Sequence, residues 1–178
     1  MNHFVRILLA AILLGPGALA AQDTAIAGIR FERREAMVPM RDGVRLFTVI
    51  LAPRSPAAPL PILLSRTPYG TDGWGGTANI AVGFKELIED GYVFVFQDIR
   101  GQHRSEGVFI MNRPPRDRRD PRAVDEATDT WDTVEWLLRS VPGTNGRVGM
   151  LGISYPGFLV NAALVDPHPA LRAMSPQA

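Results

Sequence analysis

Apolar residues in this chain gather into short runs set between polar, glycine-rich and proline-rich stretches. Phe31–Pro39 and Val44–Ala52 are strand-like and flank Met40-Arg41-Asp42-Gly43, where Asp-Gly favours a tight turn, so a hairpin is expected. Ile62-Leu63-Leu64-Ser65 and Tyr92–Phe96 have the pattern of short buried strands, as does Val148-Gly149-Met150-Leu151 after the Asn145-Gly146-Arg147 turn. Ile80–Glu89 places apolar residues at 80, 84, 87 and 88, which predicts a helix stopped by Gly91. Asp120-Pro121 is expected to open the clearest helix, with Asp as N-cap and Pro at its first position. Val124, Ala127, Trp131, Val134 and Leu138 would form its buried stripe, Asp125, Asp129 and Asp132 would face water or the helix start, and it would end at Ser140–Gly143. Phe158, Leu159, Ala162, Ala163 and Val165 predict a further helix, and Ala170–Met174 the start of another strand. Pro53–Pro61, Gly73–Gly76 and Asp98–Arg119 are expected as loops.

Helices alternating with short apolar strands imply an α/β fold: a mostly parallel sheet with helices on both faces and an antiparallel hairpin at one edge. In such sheets reactive groups gather where the strands end. Three loops leave those ends, the one after Ser65 with Tyr69, the one after Gln97, and the turn that holds Ser154.

A chain of 178 residues, 46% hydrophobic, with net charge +1 and no cysteine, is one globular unit, and its charge gives no footprint for nucleic acid. Arg113, Arg116, Arg118, Arg119 and Arg122 form a local basic run, but Asp117, Asp120, Asp125, Glu126, Asp129 and Asp132 interleave or follow it. It is read as a solvated, internally compensated loop in preference to a phosphate-binding patch. Residues 1–21 have the form of a secretory signal, with Arg6, an apolar core from Ile7 to Leu14, and Ala18-Leu19-Ala20 before a mature start near Ala21. A membrane anchor is disfavoured because Gly15-Pro16-Gly17 interrupts a stretch already short of the ~18 residues needed to span. The expected location is secreted or periplasmic.

Gly152-Ile153-Ser154-Tyr155-Pro156-Gly157 sets a serine between a buried strand and a helix, the layout of a nucleophile elbow. A sharp turn would lift the hydroxyl clear of the backbone while the helix start offers free N–H groups and a positive dipole end to a developing oxyanion. The competing reading is a serine that only caps the helix. Pro156 stands where the common Gly-x-Ser-x-Gly form has its second glycine, and Gly157 follows one place later; proline is tolerated in a first helical turn. A serine nucleophile needs a histidine base and a carboxylate to orient it. Of three histidines, His3 lies in the signal, His103 in a polar loop, and His168 past the far end of an eleven-residue helix, about 16 Å away. His168 is read as a capping or surface residue and His103 as a loop residue that could adjoin the site without being the base. In the usual chain order of this architecture the acid and histidine follow the nucleophile, and neither is expected between Ser154 and Ala178.

Several further stretches, in order, point the same way. Arg66-Thr67-Pro68-Tyr69, Gln97-Asp98-Ile99-Arg100-Gly101 with Ser105 and Gly107, Glu126-Ala127-Thr128-Asp129-Thr130-Trp131-Asp132, and Asn145-Gly146-Arg147-Val148-Gly149 running into Ser154-Tyr155 resemble the cocaine esterase-like (CocE/NonD type) family of serine hydrolases. That family groups with Xaa-Pro dipeptidyl peptidases. Within it the chain looks most similar to α-amino acid ester hydrolases and glutaryl-cephalosporin acylases, which share stretches like Met111-Asn112-Arg113-Pro114 and Asp166-Pro167-His168-Pro169-Ala170.

The resemblance covers about Phe31 to the last residue and implies an α/β-hydrolase fold. It implies Ser154 as nucleophile, and the Tyr155 backbone N–H and Tyr69 hydroxyl as oxyanion donors. Without it, Tyr69 would be a loop aromatic suited to packing. The implied reaction is cleavage of small acyl or α-aminoacyl esters or amides through an acyl-enzyme, with no metal or organic cofactor and no stable membrane anchor; homo-oligomers of a full-length protein stay open. Amino acid ester hydrolases also hold the substrate ammonium with a carboxylate cluster whose positions fall beyond Ala178, and Pro156 replaces their acidic residue after Tyr155. Complete members continue into a helical cap and a jelly-roll β domain. Residues 22–178 are therefore expected to be a truncated N-terminal part of the hydrolase domain, inactive alone. The alternatives are an Xaa-Pro dipeptidyl peptidase and a non-catalytic remnant that acts in binding only.

Overall fold

The computed structural model describes residues 22–73, 76–120 and 122–177, so the expected signal segment lies outside the described residues. Among these, the strands β1 (Gln22–Ile26), β2 (Ile29–Pro39), β3 (Arg45–Pro53), β4 (Leu60–Thr67), β5 (Val93–Asp98), β6 (Thr144–Ile153) and β7 (Leu171–Gln177) form one sheet in the order β1-β2-β3-β5-β4-β6-β7. The pairs β1–β2, β2–β3 and β3–β5 are antiparallel, while β5, β4, β6 and β7 run parallel to one another. This is the expected α/β arrangement, except that the hairpin of β2 and β3 is flanked by a further antiparallel strand, β1, which forms the edge and was not foreseen. The hairpin turn is closed by the Gly43 N–H on the Met40 carbonyl at 2.9 Å and the Met40 N–H on the Val44 carbonyl at 2.8 Å.

The helices are α1 (Ile80–Gly83), α2 (Lys85–Asp90), α3 (Glu126–Ser140) and α4 (Tyr155–Ala163). Helices α3 and α4 cover one face, where Val134, Leu137, Leu159 and Val160 pack on Ile62, Leu64, Val93, Val95, Val148 and Met150. Each such side chain gains about 1.5–3 kcal/mol by leaving water. The other face is covered over β5 and β3 by Ile80 and Ile88, which meet Phe31, Leu51, Phe94 and Phe96.

Two helices differ from their expected extents. The single helix expected over 80–89 is broken at Phe84, whose backbone leaves helical angles (φ −133°, ψ 28°) while its ring lies 6.1 Å from that of Phe94. Burial of that aromatic outweighs one more turn of helix next to Gly83, a poor helix former. Helix α3 begins five residues later than Pro121, because Asp125 and Thr128 form a capping box: the Thr128 N–H donates to Asp125 Oδ1 at 2.8 Å, and the Asp125 N–H to Thr128 Oγ1 at 2.9 Å. Asp120 caps only a local turn, accepting from the Arg122 N–H at 2.9 Å. Val124 therefore stands outside the helix, and its buried stripe runs through Ala127, Thr130, Val134 and Leu137.

Asp125 faces the helix start, as expected, by capping α3, while Asp129, expected to face water or the helix start, is buried against the sheet side. Arg66 on β4 is fully buried and donates to Gln97 Oε1 (2.8 Å), the Glu126 carbonyl (3.0 Å) and Thr130 Oγ1 (2.9 Å). It also pairs with Glu126 Oε2 at 3.1 Å. Arg100, just after β5, bridges Asp129 (2.7 Å) and Asp42 (2.6 Å). Burial alone would lower the Arg100 pKa, but hydrogen bonds to the two aspartates raise it well above the usual arginine value. Removing one member of such a buried set leaves an uncompensated charge, so the network locks α3 to the ends of β4 and β5.

Candidate active site

Strand β6 ends at Ile153 and α4 begins at Tyr155, so the whole reversal falls on Ser154. Its backbone sits at φ +64°, ψ −127°, a conformation that an L-residue adopts only under constraint. The constraints are visible: the Ser154 N–H donates to the Gln177 carbonyl on β7 at 2.9 Å, and its own carbonyl accepts from the Phe158 N–H at 3.1 Å. Gly152 supplies the room. A Cβ there would lie 2.3 Å from both the carbonyl carbon and the oxygen of Pro156.

Ser154 occupies the N-cap position of α4, yet its side chain makes no capping bond and the residue is exposed. The capping reading is thus not what the hydroxyl does. In the first turn, Pro156 contributes no N–H, which leaves the Tyr155 amide as the donor next to the serine. Tyr155 itself is held from its ring, whose hydroxyl accepts from the Asn112 N–H at 2.9 Å and whose face packs between Phe109 (6.1 Å) and Phe158 (5.3 Å).

Tyr69 follows β4, the strand adjacent and parallel to β6, with Leu64 paired to Met150. Neighbouring strands lie about 4.8 Å apart, so the turn after β4 flanks the elbow directly. Tyr69 is 46% exposed and lines a cleft of about 600 Å³ together with Thr67, Phe84, Leu151, Ile153 and Pro156. The cleft lies on the sheet face that α1 and α2 cover only partly.

The third expected loop contributes Asp98, whose buried carboxylate accepts the Thr71 N–H at 2.8 Å and the Arg104 N–H at 3.3 Å. Burial pushes its pKa above the usual aspartate range, against the opposing pull of those N–H groups and of nearby His103 and Arg104. Glu126 is likewise raised by burial, opposed by Arg66. Among the described residues no group of His, Cys, Asp or Glu side chains is placed to hold a metal ion, and no helix is long and apolar enough to cross a membrane.

Neither described histidine reaches the serine. His103 Nε2 bonds the Pro68 carbonyl at 2.9 Å, on the Tyr69 turn. His168 is buried, not a surface residue: its Nε2 lies 3.0 Å from Glu135 Oε2, its Nδ1 accepts the Ala170 N–H, and its ring packs 4.7 Å from Trp131. The roles of Asp98 and Arg66 in holding the site were not foreseen. Strand alternation points to Arg66, because positions 62, 64 and 66 share one face and Gln97 continues the face of Val93 and Val95.

Residues 42–178 match the model of the X-Pro dipeptidyl-peptidase (S15) family. The chain is 36% identical over 140 residues to a cocaine esterase of Rhodococcus sp., covering 79% of this chain and 22% of that protein. In structure it is similar to an α-amino acid ester hydrolase (42% identity, TM-score 0.74, covering 97% of this chain and 28% of that one). It is also similar to an aminopeptidase of a marine sediment Thaumarchaeota archaeon (38% identity, TM-score 0.72, covering 82% and 25%). It therefore spans about a quarter of the length of these relatives. The matched residues include the strand–serine–helix turn, the Tyr69 turn and the Asp98 loop, and the chain belongs to the X-Pro dipeptidyl-peptidase (S15) family, with the N-terminal part of an α/β-hydrolase fold.

Proposed function

We propose that this chain is the nucleophile-bearing part of a serine esterase or amidase that cleaves small acyl or α-aminoacyl esters or amides. The observation that carries the reading is the backbone of Ser154, held at φ +64° with its hydroxyl uncommitted at the start of α4. In this mechanism Ser154 Oγ bonds to the substrate carbonyl carbon while its proton passes to a histidine base. The resulting oxyanion takes hydrogen bonds from the Tyr155 N–H and the Tyr69 hydroxyl. Collapse breaks the bond to the leaving alcohol or amine, which takes the proton from the histidine, and water then hydrolyses the acyl-enzyme by the same steps. His103 and His168 are engaged elsewhere, so the base and its carboxylate belong to the remainder of the hydrolase fold.

A second reading, release of X-Pro dipeptides, is favoured by the family's description. In the whole hydrolase, turnover of 4-nitrophenyl butyrate against Ala-Pro-4-nitroanilide separates the two. Ser154 is expected to be the residue labelled by a fluorophosphonate probe, and Ser154→Ala should abolish labelling and lower turnover by roughly 10⁶-fold. Tyr69→Phe should lower kcat about 10² to 10³-fold. Undiminished turnover in Ser154→Ala would remove the serine from the chemistry, and with it both readings.

A further inference from the structure

Tyr69 is half-exposed, and its hydroxyl has no hydrogen-bond partner among the described residues, so packing does not aim the phenol. Its direction must come from its backbone. The turn that carries it is held from within, where the Tyr69 N–H donates to Thr67 Oγ1 at 3.0 Å, and from the neighbouring loop: the Ile99 N–H donates to the Thr67 carbonyl at 3.1 Å, the Thr71 N–H to Asp98 Oδ1 at 2.8 Å, and His103 Nε2 to the Pro68 carbonyl at 2.9 Å, on the same peptide as the Tyr69 N–H. The last of these bonds acts on the peptide group that joins Pro68 to Tyr69. Because a carbonyl only accepts, Nε2 bears the proton.

His103 is itself fixed. Its backbone has a positive φ (+45°), uncommon for non-glycine residues although histidine tolerates it better than most. The next residue's N–H is tied to Asp98 Oδ2 at 3.3 Å. Ser105 Oγ donates to the Asp98 carbonyl at 2.6 Å and accepts the Phe47 N–H at 2.8 Å, bracing the loop against β3. The imidazole lies flat enough on Gly70 that a Cβ there would meet Cε1 at 3.2 Å and Nδ1 at 3.3 Å. One buried carboxylate thus anchors both the turn that bears Tyr69 and the loop that bears His103.

We infer that His103 is a positioning residue: its Nε2–H fixes the Pro68–Tyr69 peptide and thereby aims the Tyr69 hydroxyl at the oxyanion, with Asp98 as the common anchor. The inference rests on the reading of Tyr69 as an oxyanion donor. It places His103 in the site's machinery without making it the base.

The test is a double-variant cycle in the whole hydrolase with 4-nitrophenyl butyrate, following kcat and KM separately. His103→Ala should lower kcat about 10-fold with KM within about twofold, and His103→Gln, which restores an N–H near the place of Nε2, should recover most of the loss. In the Tyr69→Phe background His103→Ala should cost nothing further in kcat, because its effect passes through the missing hydroxyl. Additive losses in the double variant, or a His103→Ala protein with lowered Tm but unchanged kcat, would overturn the inference while leaving Tyr69 in place. Unchanged kcat in Tyr69→Phe would overturn both. Should His103→Ala fail to fold, His103→Gln decides: rescue of kcat in that variant supports the inference, and a full loss in a folded His103→Gln refutes it.

Discussion

The elbow allows a sharp quantitative test at Gly152, because the crowding there involves backbone and not a flexible side chain. A methyl group at this position would stand 2.3 Å from the Pro156 carbonyl carbon and oxygen and 2.6 Å from Pro156 Cβ. Ordinary carbon contacts begin near 3.5 Å, so Gly152→Ala must push the first turn of α4 away from β6 by about 1 Å. That turn carries Ser154 and the Tyr155 N–H, and a displacement of this size costs roughly 10²-fold in rate. The overpacking should also cost about 1–3 kcal/mol of stability. Gly149→Ala, on the same strand, is the control: the one tight contact of its Cβ would be Leu63 Cδ1 at 3.3 Å, a side-chain end that can turn aside, with the Ala173 carbonyl oxygen and Cβ at ordinary distances of 3.8 Å and 3.9 Å. The assay is the rate of fluorophosphonate labelling at Ser154, read beside Tm for both variants in the whole protein. Gly149→Ala should label at nearly the parent rate. A Gly152→Ala protein that labels as fast as the parent, with unchanged Tm, would refute the claim that this glycine sets the approach of α4 to the serine.

Two further outcomes follow from the charge network and the sheet edge. Partial burial is the largest single influence on Asp42 and raises its pKa, but the hydrogen bond and charge of Arg100, together with the backbone N–H groups of Val44 and Asp42, leave it below the ordinary aspartate value. A depressed folded-state pKa contributes stability above the unfolded-state value that is lost as pH falls through the folded one; Asp42→Asn should therefore lower stability by about 1 kcal/mol at pH 7, with the difference from the parent beginning to shrink below about pH 4 and disappearing only below the lower folded-state value, in pH-dependent thermal unfolding. An equal difference at pH 3 and pH 7 would contradict this linkage. Residues 22–178 expressed alone should lack esterase activity and self-associate, because no described histidine serves Ser154 and β7 presents an edge beside the partly covered cleft face. A sharp monomer peak on size exclusion with cooperative unfolding and measurable ester turnover would refute it.

What the sequence made legible follows from the kind of force at each position. The hairpin, the apolar strands and the elbow were readable because each rests on local turn chemistry or on continuous burial. Helix α3 was misplaced at its start because two aspartates compete for the cap, and a proline at 121 is weaker evidence than the reciprocal Asp125–Thr128 pair. Its polar face was misjudged for a different reason. Asp129, Glu126 and Thr130 are spaced to meet a partner on the sheet, and that partner, Arg66, is 60 residues from Glu126 along the chain. Charge mixing in a sequence resembles solvation until the opposite member is located, and strand alternation at 62, 64 and 66 is the signal that locates it. The break at Phe84 depends on the position of Phe94 across the sheet, which helical spacing alone does not encode.

The shifted glycine of the elbow has a physical cause in β7. The Gln177 carbonyl accepts the Ser154 N–H at 2.9 Å, and the same oxygen would lie 2.2 Å from a Cβ at position 157. One carbonyl thus fixes the peptide of the serine and excludes a side chain from the first turn of α4. Position 156 meets no such obstacle and bears a proline, which presets the turn and removes a competing donor beside Tyr155. The requirement for a small residue therefore belongs to whichever position faces the end of β7, not to a fixed spacing from the serine. It follows that β7 is part of the nucleophile turn: the strained angles of Ser154 are held by Gln177 on one side and Phe158 on the other, and loss of either contact would let the residue relax toward an ordinary helix cap.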